Sequence, residues 1–446
     1  MKDQNANVPR QTIESATVKK VFTRLLPYLI LLYIAAYISR ANLGYAALGM
    51  NDDLGITARQ FGLIAGIFFI GYFIFEVPSN MLLQKFGARI WIARILITWG
   101  IVAMITGFAQ SVTHLYILRF LLGVAEAGFF PGVLLYLTYW FQDKDKAKAV
   151  SLFMVAIPMS YMIGAPLSGW ILDHIHWLDF ASWRWMFIIE GAPSVILGIT
   201  TLFILPNGPK NVKWLTEEEK NWLSTTLEKE NANKVKGTKG HLTKDILANK
   251  QLWALVLIYF AIEMGEYGLG YWGPQVIDKM SGHFSNTQVG LITAATYILG
   301  AIVMVYWGAH SDKTLERRNH IILPMIVCAV SIVAIGYVTN TLMSVVMLAV
   351  IIAATYALFG PFWALPSAFL TGTSAAVGLA LINSFGNLAG FVSPFVIGAV
   401  AESTGNILNG FYAIAIFMVL SIVVIIFGFK GVDKGMPARS NSNIKM

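Results

Sequence analysis

A chain of 446 residues that is 57% hydrophobic and only 13% charged carries more apolar surface than a water-soluble fold can bury, which places it in lipid. At roughly 20 apolar residues per helical crossing the length accommodates about twelve spans, and the continuity of the apolar runs excludes a β-barrel, whose strands alternate. The net charge of +8 calls for either a nucleic-acid partner or a topological cause, and its placement along the chain decides for the second.

In chain order, residues 1–24 are polar and basic, lack a small-residue cleavage site and precede an apolar run too long for a signal-peptide core. They read as a retained N-terminal tail. Apolar runs centred near Ala36, Ile70, Trp99, Glu126, Ser160 and Ser194 predict six spans within 25–206. Residues 207–250 are rich in Lys and Glu, with one short amphipathic helix in TEEEKNWLSTTLEKE followed by a polar linker. Runs centred near Phe260, Tyr297, Val327, Ala353, Gly390 and Val419 predict six more spans within 251–430, and 431–446 form a C-terminal tail. The expected fold class is an all-α integral membrane protein with twelve transmembrane helices in two six-helix bundles.

The cationic residues sort by side. Lys2, Arg10, Lys19, Lys20 and Arg24 precede span one; Lys85, Arg89, Lys144, Lys146 and Lys148 follow spans two and four; Lys313, Arg317 and Arg318 follow span eight. The linker adds a run of lysines from Lys210 to Lys250, while the alternate loops offer only Arg59, Arg184 and Lys279. Both termini and the linker are therefore expected on the cytoplasmic side, and no nucleic-acid partner is needed. An internal repeat supports two duplicated halves: Lys85 and Arg89 match Lys313 and Arg317 at a shift of 228, and Pro166 and Pro394 keep the same shift. Repeated halves with a substrate site at their interface are a transporter architecture.

A charge at the bilayer centre costs about 2.5 to 3.5 kcal/mol on insertion scales, so each one needs a partner or a watery cavity. Arg40 lies about fourteen residues into span one, roughly 21 Å along the axis, close to mid-depth. It is either a two-pronged fork for a substrate carboxylate or half of an interhelical ion pair. Arg119 and Glu126 share one face of span four, where Glu126 is a proton-carrier candidate or a permanent partner of Arg119. Glu263 and Glu266 share a face of span seven and would hold a proton, answer a cationic group on a substrate, or line a solvated wall. Glu76, Arg94 and Glu190 lie toward helix ends and read as interface residues. Asn383 and Asn387 place two amides on one face of span eleven, for a polar ligand or for a helix contact. Tyr37, Tyr72, Tyr267, Tyr271, Trp272 and Trp363 stand at candidate cavity positions.

Other chemistries lack their motifs. The sequence has no phosphate-cradling loop, no HExxH and no nucleophile elbow; its seven histidines form no ligand-spaced group, and Cys328 sits alone in an apolar run. No metal, no cofactor and no enzymatic activity are expected, and uphill transport would draw on an ion gradient. A membrane-bound sensor or a membrane enzyme fits less well, because neither tail suggests a signalling domain and no catalytic cluster lies at depth.

Six motifs then resemble one family in order. YISRANLGYAALGMNDDLG, FFIGYFIFEVPSN with KFGAR, RFLLGVAEAGFFPG, GAHSDKTLERRNH, GPFWALP and INSFGNLAGFVSP resemble landmarks of the major facilitator superfamily, within it the anion:cation symporters of the tartrate, hydroxyphenylacetate and sugar-acid type. The resemblance implies a monomer in a bacterial inner membrane that imports a small organic acid with protons. It implies that Arg40 binds the substrate carboxylate, that Tyr37, Tyr72, Trp363 and Asn383 line the site, and that Glu126 carries a proton beside Arg119. It further implies a hinge at Gly164 to Gly169 and a cytoplasmic gate of Lys85, Arg89, Asp312, Lys313 and Arg317. Two departures stand out: Ser39 replaces the aspartate many relatives place before the span-one arginine, and Gln84 replaces an acid in the first gate motif. Anion exchange and a zwitterionic substrate held by Arg40 with Glu263 or Glu266 are the alternatives.

Overall fold

The computed structural model describes residues 7–236, 248–366 and 372–429, and almost all of them are helical. Twelve helices are long and apolar enough to cross a membrane. In order they are Ile13–Asp53, Ala58–Phe86, Ala88–Thr106, Val112–Thr138, Lys144–His174 and Ser182–Ile204, then Lys250–Met280, Asn286–Thr314, Arg318–Ile335, Thr341–Ala364, Val377–Thr404 and Ile407–Gly428. Every run centre read from the sequence falls inside its span. Polar side chains set several starting points: Thr57, Ser111, Asn249, Asn340 and Asn406 each accept a hydrogen bond from the first turn of the helix that follows. Large apolar residues such as Phe203, Tyr337 and Leu342 remain exposed, as a lipid-facing surface requires.

Two compact units emerge. The first is Met1–Lys239 with Phe284–Ala294, the second Gly240–His283 with Ala295–Met446. The short segment at the start of span eight joins the first unit for a local reason. Asp173, near the end of span five, accepts hydrogen bonds from the backbone N–H groups of Asn286 and Thr287 at 3.1 and 2.8 Å and from their side chains at 2.8 and 2.6 Å.

Inside the first unit, helices approach backbone to backbone. A Cβ placed on Gly71 would lie 2.4 Å from the Phe120 carbonyl oxygen, and one on Gly123 would lie 2.0 Å from that of Phe68. Spans two and four can meet this closely only because both positions lack a side chain. In the second unit, span seven is held to span eleven by Ser393 Oγ, which donates to the Met264 carbonyl at 2.6 Å, and by Trp272 Nε1, which donates to the Pro394 carbonyl at 3.2 Å.

The helical tail exceeds the sequence reading, and the expected linker helix runs past the stretch read for it. The N-terminal tail is helical from Asn7 and continuous with span one to Leu54. The amphipathic segment of the linker is a helix, Glu217–Lys236, opened by a reciprocal cap in which Glu219 N–H donates to Thr216 Oγ1 and Thr216 N–H donates to Glu219 Oε2. Lys20 clamps the same carboxylate at 2.7 and 2.9 Å, tying this helix to span one. The polar remainder of the linker and the C-terminal tail lie outside the described residues.

Gly123→Val is expected to lower the melting temperature of the detergent-purified protein through overpacking of about 1–3 kcal/mol. Gly273→Ala, where an added Cβ meets nothing within 4 Å, should leave it nearly unchanged. For Glu219, burial alone would raise the carboxyl, but Lys20 and the Thr216 cap outweigh it and hold it below the ordinary carboxylate range. That contribution is fully present above about pH 4.3 and is lost as pH falls through the lower folded-state value. Glu219→Gln should therefore reproduce at neutral pH the loosening that acid causes in the unaltered protein, read as faster hydrogen exchange along Glu217–Lys236.

Candidate functional site

Span four breaks where it carries its carboxylate. One helix ends at Glu126 and a second begins at Phe129, with Gly128 between them in the left-handed region at φ 84°. A side chain there would be strained and would strike Ser79, so glycine makes the break possible. Broken helices at membrane depth occur where protein or a cavity surrounds them. The C-terminal end of a half-helix carries partial negative charge and favours a cation nearby.

The cation is Arg40. Its Nη2 forms an ion pair with Glu126 Oε1, joining span one to the break in span four. The guanidinium carbon also stands 4.9 Å from the Tyr37 ring centroid, 5.0 Å from Phe68, 5.9 Å from Phe69 and 5.9 Å from Tyr72. Four ring faces around one guanidinium supply cation–π attraction where water is scarce. The Arg40 side chain retains 12% exposure against 3% for Glu126, so a solute reaching the pair would meet the arginine first. Arg119 is buried on the same helix as Glu126 and within its electrostatic reach.

Of the predicted site residues, Tyr37, Arg40, Tyr72, Arg119 and Glu126 are thus brought together in the first unit. The sequence left Glu126 with Arg119 as its permanent partner in one reading; the ion pair is instead with Arg40, which gives the candidate substrate fork and the candidate proton carrier a common bond.

In the second unit, Glu263 and Glu266 are both buried. The Tyr259 hydroxyl donates to Glu263, and Tyr267 Oη donates to Asn387 Oδ1 at 2.9 Å. The Tyr259 ring meets Trp363 edge to face at 4.9 Å and stacks on Phe362 at 5.1 Å. Gly386 leaves room for this ring, since a Cβ there would lie 2.1 Å from Tyr259 Cδ1. Span seven, with parts of spans ten and eleven, therefore assembles an acidic, aromatic and amide cluster. Asn383 is half-buried one turn from Asn387. Sequence reading missed Tyr259, whose position one turn before Glu263 was the available signal.

The charged motifs behave differently in the two units. In the second, Arg317 Nη2 meets Asp312 Oδ1 at 2.5 Å and Arg317 Nη1 donates to Ser311 Oγ at 2.7 Å, while Lys313 is exposed. In the first, neither Lys85 nor Arg89 has a carboxylate partner among the described residues, in keeping with Gln84 where an acid would stand.

Residues 29–394 match the sequence model of the Major Facilitator Superfamily. The chain belongs to this family. It is a multi-pass membrane transporter, not an enzyme. A protein of Agrobacterium vitis named for tartrate transport is 43% identical over 96% of this chain and 94% of its own length. A protein of Acinetobacter baumannii named a quinolone resistance transporter is 40% identical over 92% of this chain and 94% of its own. The crystal structure of a D-xylose–proton symporter superposes with a TM-score of 0.75 at 16% identity, covering 93% of this chain and 99% of that one, which shows the shared fold.

For this superfamily member the pairing of Arg40 with Glu126 makes a thermodynamic prediction. Removing one partner of a buried ion pair costs about 3–5 kcal/mol because it strands a charge, whereas removing both costs much less. Thermal melts should therefore show Arg40→Met destabilising more than the Arg40→Met/Glu126→Gln double variant does. Additive losses would mean that the two groups are not coupled.

Proposed function

We propose that this chain imports a small organic anion, a mono- or dicarboxylate, by proton symport through alternating access, with both termini and the linker on the cytoplasmic side. The observation that carries this reading is the Arg40–Glu126 pair within its ring of aromatic faces. A substrate carboxylate is chemically equivalent to Glu126 and competes with it for the same guanidinium. Once the substrate holds Arg40, Glu126 is a carboxylate at depth without that cation, a condition relieved by taking up a proton. Anion and proton then enter together because each makes room for the other. Release of the proton toward the less acidic side restores the pair and expels the substrate. The relative named for tartrate transport supports the carboxylate class, and the basic linker and loops support the orientation. The proton gradient is the proposed energy source.

The cluster in the second unit favours one variant. Two buried glutamates beside Tyr259 and Tyr267 suit a substrate that carries a cationic group as well as a carboxylate.

In purified protein, the affinity for a fully ionised dicarboxylate such as tartrate should rise as pH falls, by at most about tenfold per pH unit. Acid protonates Glu126 and frees Arg40 for the anion. Glu126→Gln should bind the anion with a flat pH profile and still exchange it across proteoliposomes, yet fail to accumulate it on a proton gradient. Arg40→Ala should abolish binding and the ligand-induced rise in melting temperature across a panel of organic acids. Near-normal anion affinity in Arg40→Ala, or a stabilising response confined to amines, would overturn the reading.

A further inference from the structure

The first unit buries another carboxyl group that the Arg40–Glu126 pair does not use. Glu190 lies on span six about 12 Å along the axis from Ser182, and it is 3% exposed, where the sequence suggested an interface residue near a helix end. Its Oε1 accepts a hydrogen bond from Ser168 Oγ of span five at 2.7 Å. The Asn42 amide faces it from span one, and Ser39 Oγ, also of span one, donates to the Glu190 main-chain carbonyl at 3.3 Å.

Its surroundings hold little charge. The titratable group facing it from span one is Tyr45. Span five presents Ser168, and span three packs Gly100 and Met104 against the adjoining Gly191. Among the described residues no Lys, Arg or His side chain pairs with Glu190. An ionised carboxylate buried without a cation is costly, so a site of this composition is built for a carboxyl that can be neutral. It serves both states. The Ser168 hydroxyl donates to the carboxylate and the Asn42 amide faces it, and the oxygens of the same two side chains can accept from a carboxyl O–H. Glu190 Oε2, buried and without a hydrogen-bond partner, is the atom open to the proton.

We propose that Glu190 is a second proton-binding site, which takes a proton on one carboxyl oxygen at acidic pH and returns it to water at alkaline pH. The site is wired to the first. Ser39 and Asn42 flank Arg40 on span one, so a change of state at Glu190 acts on the turn of helix that holds the guanidinium. The proposal rests on the proton-coupled reading only for its use in transport; the titration itself stands apart from it.

The test is infrared difference spectroscopy of the full-length protein in liposomes stepped between acid and alkaline pH, without substrate and with tartrate as probe. A protonated-carboxyl C=O band that titrates should be present, and Glu190→Gln should remove one component of it while Glu126→Gln removes another. Ser168→Ala, which keeps the carboxyl but deletes its hydroxyl partner, should move the pH at which the Glu190 component appears without abolishing it. This second variant keeps the question answerable if Glu190→Gln fails to fold. Coincident titrations in the unaltered protein and Glu190→Gln, or no displacement in Ser168→Ala, would overturn the proposal. A loss confined to Glu126→Gln removes the second site and leaves the proposed role of Glu126 standing; a loss confined to Glu190→Gln does the reverse.

Discussion

A buried guanidinium in a membrane protein is tolerable only if something nearby carries the opposite charge, and much of the first unit can be read as meeting that requirement for Arg40. Glu126 supplies the anion, four aromatic rings supply their faces, and the broken end of span four adds the partial charge of its unpaired carbonyls. Each of these depends on features that carry no charge at all. Gly128 permits the break. Gly71 and Gly123 let spans two and four touch, which brings Phe68 and Tyr72 to the same level as Glu126.

An ion pair of this kind is also a device for exchange. Its two partners are worth more together than apart, so a ligand that captures one of them alters what the other requires. A carboxylate solute and a proton are the chemically simplest pair to substitute, one at each side of the bond. On the proposed reading, coupling therefore needs no long path between distant sites; it follows from competition at a single guanidinium. On the same reading, the second unit contributes buried acids beside Tyr259, an environment suited to discriminating among acids by what else they carry.

The twelve spans and the fold class were legible in composition and hydropathy, because lipid imposes a length and an apolarity that few sequences satisfy by accident. So was the short list of important charges, since each is expensive enough to be conspicuous. Their pairing was not. Arg40 and Glu126 lie 86 positions apart, and the axial register that joins spans one and four is fixed by packing, which no periodicity within one helix encodes. Arg119, on the same helix face as Glu126, was the partner nearer in sequence, and it stays within electrostatic reach of that carboxylate. The surroundings of Glu190 were hidden for a related reason: its place toward the end of its helix suggested an interface residue, but the flanking spans five and one close over it with Ser168 and Asn42. The break in span four was equally hidden, because a single glycine in an apolar run has many uses.

The central claim, that a substrate anion and a proton change places at the Arg40–Glu126 pair, is tested most directly by counting protons during binding. Calorimetric titration of the purified protein with tartrate, repeated in buffers of different ionisation enthalpy, separates the heat of binding from the heat of proton uptake. The account predicts that anion binding draws protons from the buffer and that Glu126→Gln removes most of that uptake while still binding the anion. Anion binding with no proton uptake, or uptake of the same size in Glu126→Gln, would contradict it.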